Sequence, residues 1–306
     1  MSLAEKIFSC FKEKEQFSLN EAYASNEDKP KETIRARIYE NLGIKFERVA
    51  KGIYKTIGDC GEVCIVMEGD GRDLSMLEDE SIDCILTDHP WLDTKSNKGG
   101  TRAFALYDCF RYTLEDFQEK ARVLKTGCFL VEILPAENEN NYEYLYQIKQ
   151  YAKEAGFIYY SKVAWKKGNF ISNTGRKAKN TQDVMIFSKG KARNMRVDKK
   201  KTDATGVLSY MSGCNGMLPT MFDVQPVAKN ERIHQSELPL QLCEQILQHV
   251  TYEGEIILDS FAGSGVVGEA ALNTRRSCIL IEILKENIDK IKARLGHNNR
   301  FLPLLE

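Results

Sequence analysis

The chain has no Cys-x-x-Cys pair, although nine cysteines are scattered along its 306 residues. An odd, scattered set argues against a disulfide framework and a zinc ribbon, and for free thiols in a reducing compartment. Only four histidines are present and none forms a helical pair, so a His-built metal site is not expected. No apolar run reaches the roughly 18 residues that a membrane-spanning helix needs, so no membrane partner is expected. The N-terminal stretch MSLAEKIFSCFKEKE mixes acids with lysines, unlike a secretory signal or a transit peptide. A cytoplasmic protein is therefore the expectation. Neither charge sign dominates, with 43 Lys/Arg against 44 Asp/Glu, so the whole-chain balance says nothing about partners. What is present, 42% hydrophobic and 28% charged residues, is too apolar for a disordered chain. It suffices for one large domain, or for a domain plus a small module.

Charge becomes informative once it is localised. Residues 161–232 hold 15 Lys/Arg and five acids, a net +10, which leaves −11 on the rest. Trp165, Phe170, Tyr210 and Phe222 lie among them. A solvated basic face is the plain alternative, but cations interleaved with aromatics are the footprint of a nucleic-acid surface.

Residues 1–57 look like a separate module. Leu3, Ile7 and Phe11 repeat at helical spacing. A second helix is predicted over Ser18–Ala24, and a third from Pro30 to Gly43 with Ile34, Ile38 and Leu42 as its buried stripe. Ile44-Lys45-Phe46 and Ile53-Tyr54-Lys55 then flank a turn at Lys51-Gly52, a hairpin signal. Three helices and a hairpin resemble a winged helix-turn-helix, whose third helix enters the major groove. Lys31, Arg35 and Arg37 would be presented there. A small helical cap touching only protein is the alternative, and the module is merely +2.

From Val63 onward strands and helices alternate. Strands are predicted at Val63–Met67, Ile82–Thr87, Cys128–Leu134, Ile158–Trp165, Val184–Phe187, Glu255–Asp259 and Ser277–Glu282. Helices are predicted from Thr113 to just before Gly127, from Tyr142 to Gly156, and over Pro239–Val250, Val266–Asn273 and Leu284–Leu295. Such alternation means an α/β fold with a doubly wound, parallel-type sheet over residues 60–306, the basic 161–232 region being an insertion.

Two motifs carry chemistry. Asp259-Ser260-Phe261-Ala262-Gly263-Ser264-Gly265 follows an apolar strand and opens a helix, so its glycines let backbone approach a ligand. Glu282 ends the next strand, placed to accept from ribose hydroxyls. Alone, this is also a dinucleotide fingerprint, and a nicotinamide enzyme has to be weighed. The second motif, Asp88-His89-Pro90-Trp91, puts a carboxylate, a stiff turn and a large aromatic directly after a buried strand. Carboxylate and backbone carbonyl can accept from a planar amine while the aromatic stacks on its ring, an arrangement suited to a flipped base.

Together these motifs resemble the S-adenosylmethionine-dependent amino-methyltransferases of DNA. Asp88–Trp91 is similar to that family's Asp/Asn-Pro-Pro-aromatic motif, and Asp259–Gly265 to its Asp-Pro-Phe-x-Gly-Ser-Gly motif. Arg276–Glu282 matches the following strand. His234-Gln235-Ser236-Glu237-Leu238-Pro239 resembles the His-Pro-Thr-Gln/Glu-Lys-Pro box, and Gly69-Asp70 the Gly-Asp box. Trp165-Lys166-Lys167 and Phe187–Gly190 match weaker strand motifs. The likeness spans about residues 63–295, and the motif order is that of the beta group. It departs at His89, where the family has Pro, and at Gln235-Ser236, where it often has Pro-Thr.

The resemblance implies methyl transfer to an exocyclic amine of duplex DNA, adenine N6 by virtue of Asp88, since cytosine-N4 enzymes more often carry Ser there. Cytosine N4, RNA, or a DNA-binding regulator without catalysis are the alternatives. Asp88, the His89 carbonyl, Pro90 and Trp91 would hold the base. Asp70, the His234–Glu237 box, Asp259, Phe261 to Gly265 and Glu282 would hold S-adenosylmethionine. The His89 ring is either a tolerated substitution or a base. Lys166, Lys167, Arg176, Lys177, Lys179, Arg193, Lys199, Lys200 and Lys201 would meet DNA, with Lys31, Arg35 and Arg37 adding to the footprint. Dimers are common in the beta group, so a homodimer is an expectation without a visible interface signature. A restriction endonuclease partner would be a separate chain, since no nuclease motif is legible here.

Overall fold

The chain folds as two compact units, Met1–Gly61 and Glu62–Glu306. The computed structural model describes residues 3–12, 14, 16–40, 45–56, 62–91, 109–168, 172–174, 177–195, 200–202, 208–210, 214–228, 230–233, 237–296 and 301–303.

The first unit contains α1 (Leu3–Phe11), β1 (Phe17–Ser18), α2 (Leu19–Ala24), α3 (Lys31–Glu40), β2 (Phe46–Ala50) and β3 (Ile53–Thr56). The expected spacing in α1 buries Ile7 and Phe11, with Ala4 and Phe8 beside them. Ser18 and Glu21 cap α2 reciprocally, each side chain taking up a backbone N–H of the other. Helix α3 follows Pro30 and buries Ile34 and Ile38; the expected Leu42, Gly43 and Ile44 lie outside the described residues. β2 and β3 form an antiparallel hairpin around Lys51-Gly52, where Gly52 takes φ 76, a left-handed conformation suited to glycine. β1 adds to β3, giving the order β1-β3-β2. The core of this unit is aromatic, with Phe11 stacked on Phe17 at 4.4 Å.

The second unit contains β4 (Cys64–Glu68), β5 (Ile82–Thr87), α4 (Leu114–Val123), β6 (Leu124–Pro135), α5 (Tyr142–Glu154) and β7 (Phe157–Lys166). Then come β8 (Ser172–Thr174), β9 (Lys177–Lys179), β10 (Thr181–Lys189), β11 (Lys200–Thr202), β12 (Leu208–Tyr210) and β13 (Met221–Asp223). It closes with α6 (Leu240–Val250), β14 (Ile256–Asp259), α7 (Val266–Asn273), β15 (Ser277–Glu282), α8 (Lys285–Leu295) and β16 (Phe301–Pro303). Nine strands form one sheet in the order β13-β7-β10-β6-β5-β14-β15-β4-β16. All neighbours are parallel except β10, which runs antiparallel to both β6 and β7. The fold is a doubly wound, Rossmann-like α/β sheet, mixed rather than wholly parallel. Its two faces separate cleanly. Phe129, Val131 and Ile133 of β6 face the core shared with α6, α7 and α8. Cys128, Leu130 and Leu134 face the core shared with α4 and α5. This is the period-two alternation of a strand covered on both sides.

The expected helix running to Gly127 is shorter than predicted. It ends at Val123, and Leu124 pairs with Ile82 as the first residue of β6. Gly127, at φ 84, is inside that strand. β13 and β16, which the sequence pattern does not announce, extend the two edges.

The loops after β4 and β14 pack against each other without room for a side chain. A Cβ on Gly71 would lie 1.6 Å from the Ser260 carbonyl oxygen and 3.0 Å from the Phe261 ring. Gly71→Ala should therefore destabilise the chain by about 2–3 kcal/mol, the scale of an overpacked core. A urea midpoint lowered at unchanged m-value is the expected result. An unshifted midpoint would show that the two loops do not approach this closely.

Candidate active site at the carboxyl edge of the sheet

Parallel strands release their following loops at one edge, so β4, β5, β14 and β15 bring Asp70, Asp88, Asp259 and Glu282 to the same rim. Thr87, the last residue of β5, donates its hydroxyl to Asp259 Oδ1 at 2.9 Å. The same oxygen accepts the Phe261 backbone N–H at 3.1 Å. Asp259 is thus the organiser of its turn; at 3% exposure it points inward rather than to the open rim. Burial pushes its carboxyl up to about 7, against the hydrogen bonds from Phe261 and Thr87.

The turn that follows is built from backbone. Gly263 and Gly265 take φ 50 and 73, and α7 starts immediately after. Ala262 and Ser264 are buried, each 4% exposed, so they offer main chain rather than side chain to the rim. Glu282 Oε2 accepts the Gly263 N–H at 2.8 Å and Oε1 the Leu284 N–H at 2.9 Å. Each oxygen keeps a second lone pair for an incoming hydroxyl. Asp70 is exposed and caps its own loop, accepting the Arg72 N–H at 3.0 Å.

Glu237 is engaged differently from the expectation. Its carboxylate is taken up by Arg294 at 2.5 Å and by the Ile233 N–H at 2.7 Å. Arg294 also donates to the Ser264 carbonyl at 2.8 Å and pairs with Glu269. One guanidinium therefore joins the box before α6 to the turn before α7, and Glu237 acts on that turn through Arg294. His234, Gln235 and Ser236 lie outside the described residues.

Asp88 has the feature that most distinguishes this rim. Its Oδ1 is buried and has no hydrogen-bond partner, an uncommon state for a buried polar atom. Burial raises the carboxyl to about 7 while a hydrogen bond from the Trp91 side chain pulls down. The His89 carbonyl accepts the Trp91 N–H at 2.8 Å, which closes the turn and leaves its second lone pair. Pro90 and Trp91 pair back to the segment before α4: the Phe110 N–H donates to the Pro90 carbonyl at 3.2 Å, and Trp91 bridges Phe110. Phe110 in turn stands 5.4 Å from Phe261 and beneath the Arg72 guanidinium at 4.9 Å. The rim between the two motifs is thus walled by aromatics.

The His89 ring does not face the rim. It is buried, with Nε2 2.8 Å from the Tyr144 hydroxyl and Nδ1 3.7 Å from Glu132 Oε2. Both nitrogens are turned away from the open edge, which removes the ring as a base for a substrate there. Lys120, Glu132, Tyr112 and Tyr144 surround it, and the sequence motifs single out none of them. The signal that could have found them is a charge on an apolar stripe. Glu132 falls among Cys128, Leu130 and Leu134, and Lys120 between Phe117 and Ala121.

The expected DNA-facing cations divide. Lys31 and Arg35 are exposed on α3 while Arg37 is half-buried. Lys166 is paired with Asp223 at 2.7 Å, and Arg193 is held bidentately by Glu255 with the Val250 carbonyl as a third acceptor. Arg193 is therefore a structural cation, not a phosphate contact. Lys167 lies over the Trp165 ring at 4.8 Å and is among the charges that act on Asp88. Lys177 and Lys179 are on β9, paired with β8, and Lys200 and Lys201 on β11, paired with β12. Arg176 and Lys199 lie outside the described residues. Among the described residues no His/Cys/Asp/Glu group could hold a metal ion.

With this geometry in hand, comparison with known proteins assigns the class. A family model described as DNA methylase, that of the N6 and N4 amino-methyltransferases, matches residues 82–293, more than half of the chain. The chain belongs to this family. It is 27% identical over 229 residues to the type II methyltransferase M.HpaI of Haemophilus parainfluenzae, covering 72% of this chain and 70% of that protein. It is 28% identical over 141 residues to M.BglI of Bacillus subtilis, covering 44% of this chain and 38% of that one. Among solved structures it is similar to M1.HpyAVI in complex with S-adenosylmethionine, with TM-score 0.54 and 22% identity over 76% of this chain and 99% of that one. It is also similar to the cytosine-N4-specific PvuII DNA methyltransferase, with TM-score 0.56 and 18% identity over 78% and 88%. These likenesses define the fold. The methyl donor of the family is S-adenosylmethionine, and the rim suits it. The donor carries a cationic sulfur and ribose hydroxyls, and Asp70 and Glu282 supply carboxylates with acceptor capacity to spare.

A carboxylate with one buried oxygen left unpartnered costs stability, and the cost depends on pH. With Asp88 near 7 in the folded chain and 3.8 as the ordinary value of its carboxyl, the folded state holds a proton that the unfolded state has lost between those values. The contribution of this group to stability therefore falls as pH rises from about 4 to 7 and stays low above. Asp88→Asn should raise the unfolding free energy at pH 8 by about 1–3 kcal/mol, and by less at pH 5. Urea denaturation of both chains at the two pH values checks this. An equal gain at both would contradict the raised carboxyl.

Proposed function

We propose that this chain transfers a methyl group from S-adenosylmethionine to the N6 amine of adenine in duplex DNA, with the adenine flipped out of the helix. The observation that carries the reading is Asp88 Oδ1, a buried acceptor without a partner at the end of β5. A planar amine is the group that such an acceptor, beside a backbone carbonyl and an aromatic ring, is suited to receive.

Bound S-adenosylmethionine supplies a methyl group on a cationic sulfur. The chain's residues do the rest by position. Glu282 would accept from ribose hydroxyls, the Phe261–Gly265 main chain would line the donor with Glu237 holding that turn through Arg294, and Asp70 would stand where the two pockets meet. Ionised Asp88 and the His89 carbonyl accept the two amine hydrogens, which turns the nitrogen lone pair outward, and Trp91 stacks on the base. A nitrogen–carbon bond forms as the carbon–sulfur bond breaks. The nitrogen then sheds a proton, for which Asp88 is the nearest acceptor. Most of the acceleration comes from orientation and electrostatics. Adenine is favoured over cytosine by the carboxylate at position 88. Cytosine N4 is the second reading, because a cytosine-N4-specific enzyme shares the fold.

Nucleoside mass spectrometry of DNA from cells expressing the chain should show N6-methyladenine; N4-methylcytosine instead would transfer the reading to the second base. Asp88→Ala should lower turnover more than tenfold while the calorimetric affinity for S-adenosylmethionine stays within about twofold. Because Asp88 must be ionised to accept, and its carboxyl stands near 7, kcat should rise with pH through about 7 and level off above. A profile flat from pH 6 to 8 would remove Asp88 from the step.

Duplex DNA would be met by two regions. The helices, hairpin and β1-β3-β2 sheet of the first unit support a winged helix-turn-helix, with Lys31 and Arg35 exposed on α3. The hairpins of the 161–232 region carry Lys177, Lys179, Lys200 and Lys201. Deleting residues 1–57 should weaken DNA binding and reduce the slope of log K against log salt by roughly 2–3, while the methylated sequence keeps its central positions. A changed central motif would make the first unit the reader of sequence.

A further inference from the structure

Behind the Asp88–Trp91 turn lies a buried polar cluster that the proposed transfer does not use. Lys120 Nζ is 2.5 Å from Glu132 Oε1, with the two side chains 2% and 0% exposed. The Tyr112 hydroxyl donates to Glu132 Oε2 at 3.2 Å, and Lys120 Nζ sits 3.7 Å from the centre of the Tyr112 ring. His89 packs on that ring at 3.9 Å. The Tyr144 hydroxyl accepts the Tyr112 backbone N–H at 3.0 Å and is 2.8 Å from His89 Nε2. A phenol that accepts from the main chain has its own proton left to donate, so it gives it to Nε2. The neutral ring then carries its proton on Nδ1, facing Glu132. Burial holds His89 below its ordinary value, outweighing the pull of Glu132, so the ring is neutral at pH 7. Glu132 is pushed up by burial but pulled below its ordinary value by Lys120 and His89.

A buried ion pair is an expensive way to fill a core, and apolar residues of similar volume often do as well. This one adjoins the segment that has no regular secondary structure and yet must hold Asp88. We infer that Tyr144 and Glu132, through the His89 ring, are positioning residues: they lock the main chain of the Asp88–Trp91 turn so that Asp88 Oδ1 and the His89 carbonyl point at the amine together. The inference rests on the amine-holding role of Asp88. In place of a ring closed onto its own backbone nitrogen, which fixes φ covalently, this chain fixes the turn by a hydrogen bond from Tyr144 on α5 and by the Glu132 carboxylate on β6, which faces Nδ1 from 3.7 Å.

The test is a double-mutant cycle of Tyr144→Phe with His89→Pro, using tritiated S-adenosylmethionine and unmethylated genomic DNA. In the parent chain, Tyr144→Phe should lower kcat tenfold or more, with KM for DNA and the affinity for S-adenosylmethionine within twofold. In the His89→Pro background the same substitution should change kcat less than twofold, because the turn no longer hangs on the ring. An equal loss in both backgrounds would show that Tyr144 serves only the core, and would overturn the inference. Should the His89→Pro variant fail to fold, His89→Ala takes its place, with the same two outcomes.

A spectroscopic readout is independent of turnover. With four histidines in the chain, nitrogen-15 imidazole spectra at pH 7.5 can be assigned by loss of one signal set in His89→Gln. His89 should appear as a single neutral Nδ1–H tautomer, and as a tautomer mixture in Tyr144→Phe; an Nε2–H tautomer in the parent chain would overturn the inference. Asp88→Ala is run alongside. If it keeps activity, the amine-holding role fails by itself, whatever the cycle shows. If it is inactive and the cycle shows equal losses, only the positioning role fails.

Discussion

The hydrogen bond from Thr87 Oγ1 to Asp259 Oδ1 joins residues 172 positions apart in the chain. It fixes the end of β5 to the turn after β14, and so the Asp88–Trp91 turn to the Phe261–Gly265 turn. Displacement chemistry needs three atoms in line, and errors near 1 Å are costly. Backbone pairing of β5 with β14 sets the coarse alignment at Ile257↔Cys84 and Leu258↔Ile85. The side-chain bond sets the fine one, at the point where the ladder stops. Gly71 adds a third constraint, letting the loop after β4 rest on the Ser260 carbonyl without a side chain between them.

This edge collects negative charge under burial. Asp88 and Asp259 each have their carboxyl raised to about 7, with burial as the main cause and neighbouring acids contributing to both. Such a site is unfavourable for the empty chain and favourable for a cationic partner. The unpaired Oδ1 of Asp88 belongs to the same logic. A polar atom left without a partner lowers folding stability; on the reading proposed above, its partner is the amine that comes with the substrate. On that reading stability and activity pull in opposite directions at this residue.

Much of this is legible in the sequence, for reasons that differ by element. The strands at Ile82–Thr87 and Ile256–Asp259 are apolar runs followed by a carboxylate, and turn chemistry fixes their ends. The two motifs name Asp88, Phe261, Gly265 and Glu282 without any structure. The motifs also point Asp259 and Glu237 at the donor, yet their acceptors are taken by Thr87, Phe261, Ile233 and Arg294. Thr87 and Arg294 are brought to these acids by the fold across 172 and 57 residues, and no local pattern records such partners. The cluster around His89 stays hidden for another reason. Helix spacing marks Leu114, Phe117, Ala121 and Leu124 as the buried stripe, and Lys120 on the same face reads as an interruption until Glu132 is seen opposite. Leu124 itself belongs to the next strand, since β6 starts without a connecting turn.

The basic segment shows how a charge count over a window can mislead. Residues 161–232 sum to +10, but Lys162, Lys166, Lys189 and Arg193 are paired with Asp183, Asp223, Glu80 and Glu255. Glu80 and Glu255 lie outside the window, on the parallel part of the sheet, so a window count assigns their charge to the acidic remainder. The antiparallel strand β10 and its continuation bring these cations back over the acids at the amino edge. Part of the apparent polarity between the segment and the rest of the chain is therefore neutralised within the fold. Counterion release depends on cations that reach phosphate, not on those already paired. Lys177 and Lys179 of β9 and Lys200 and Lys201 of β11 belong instead to two-stranded hairpins outside the nine-stranded sheet.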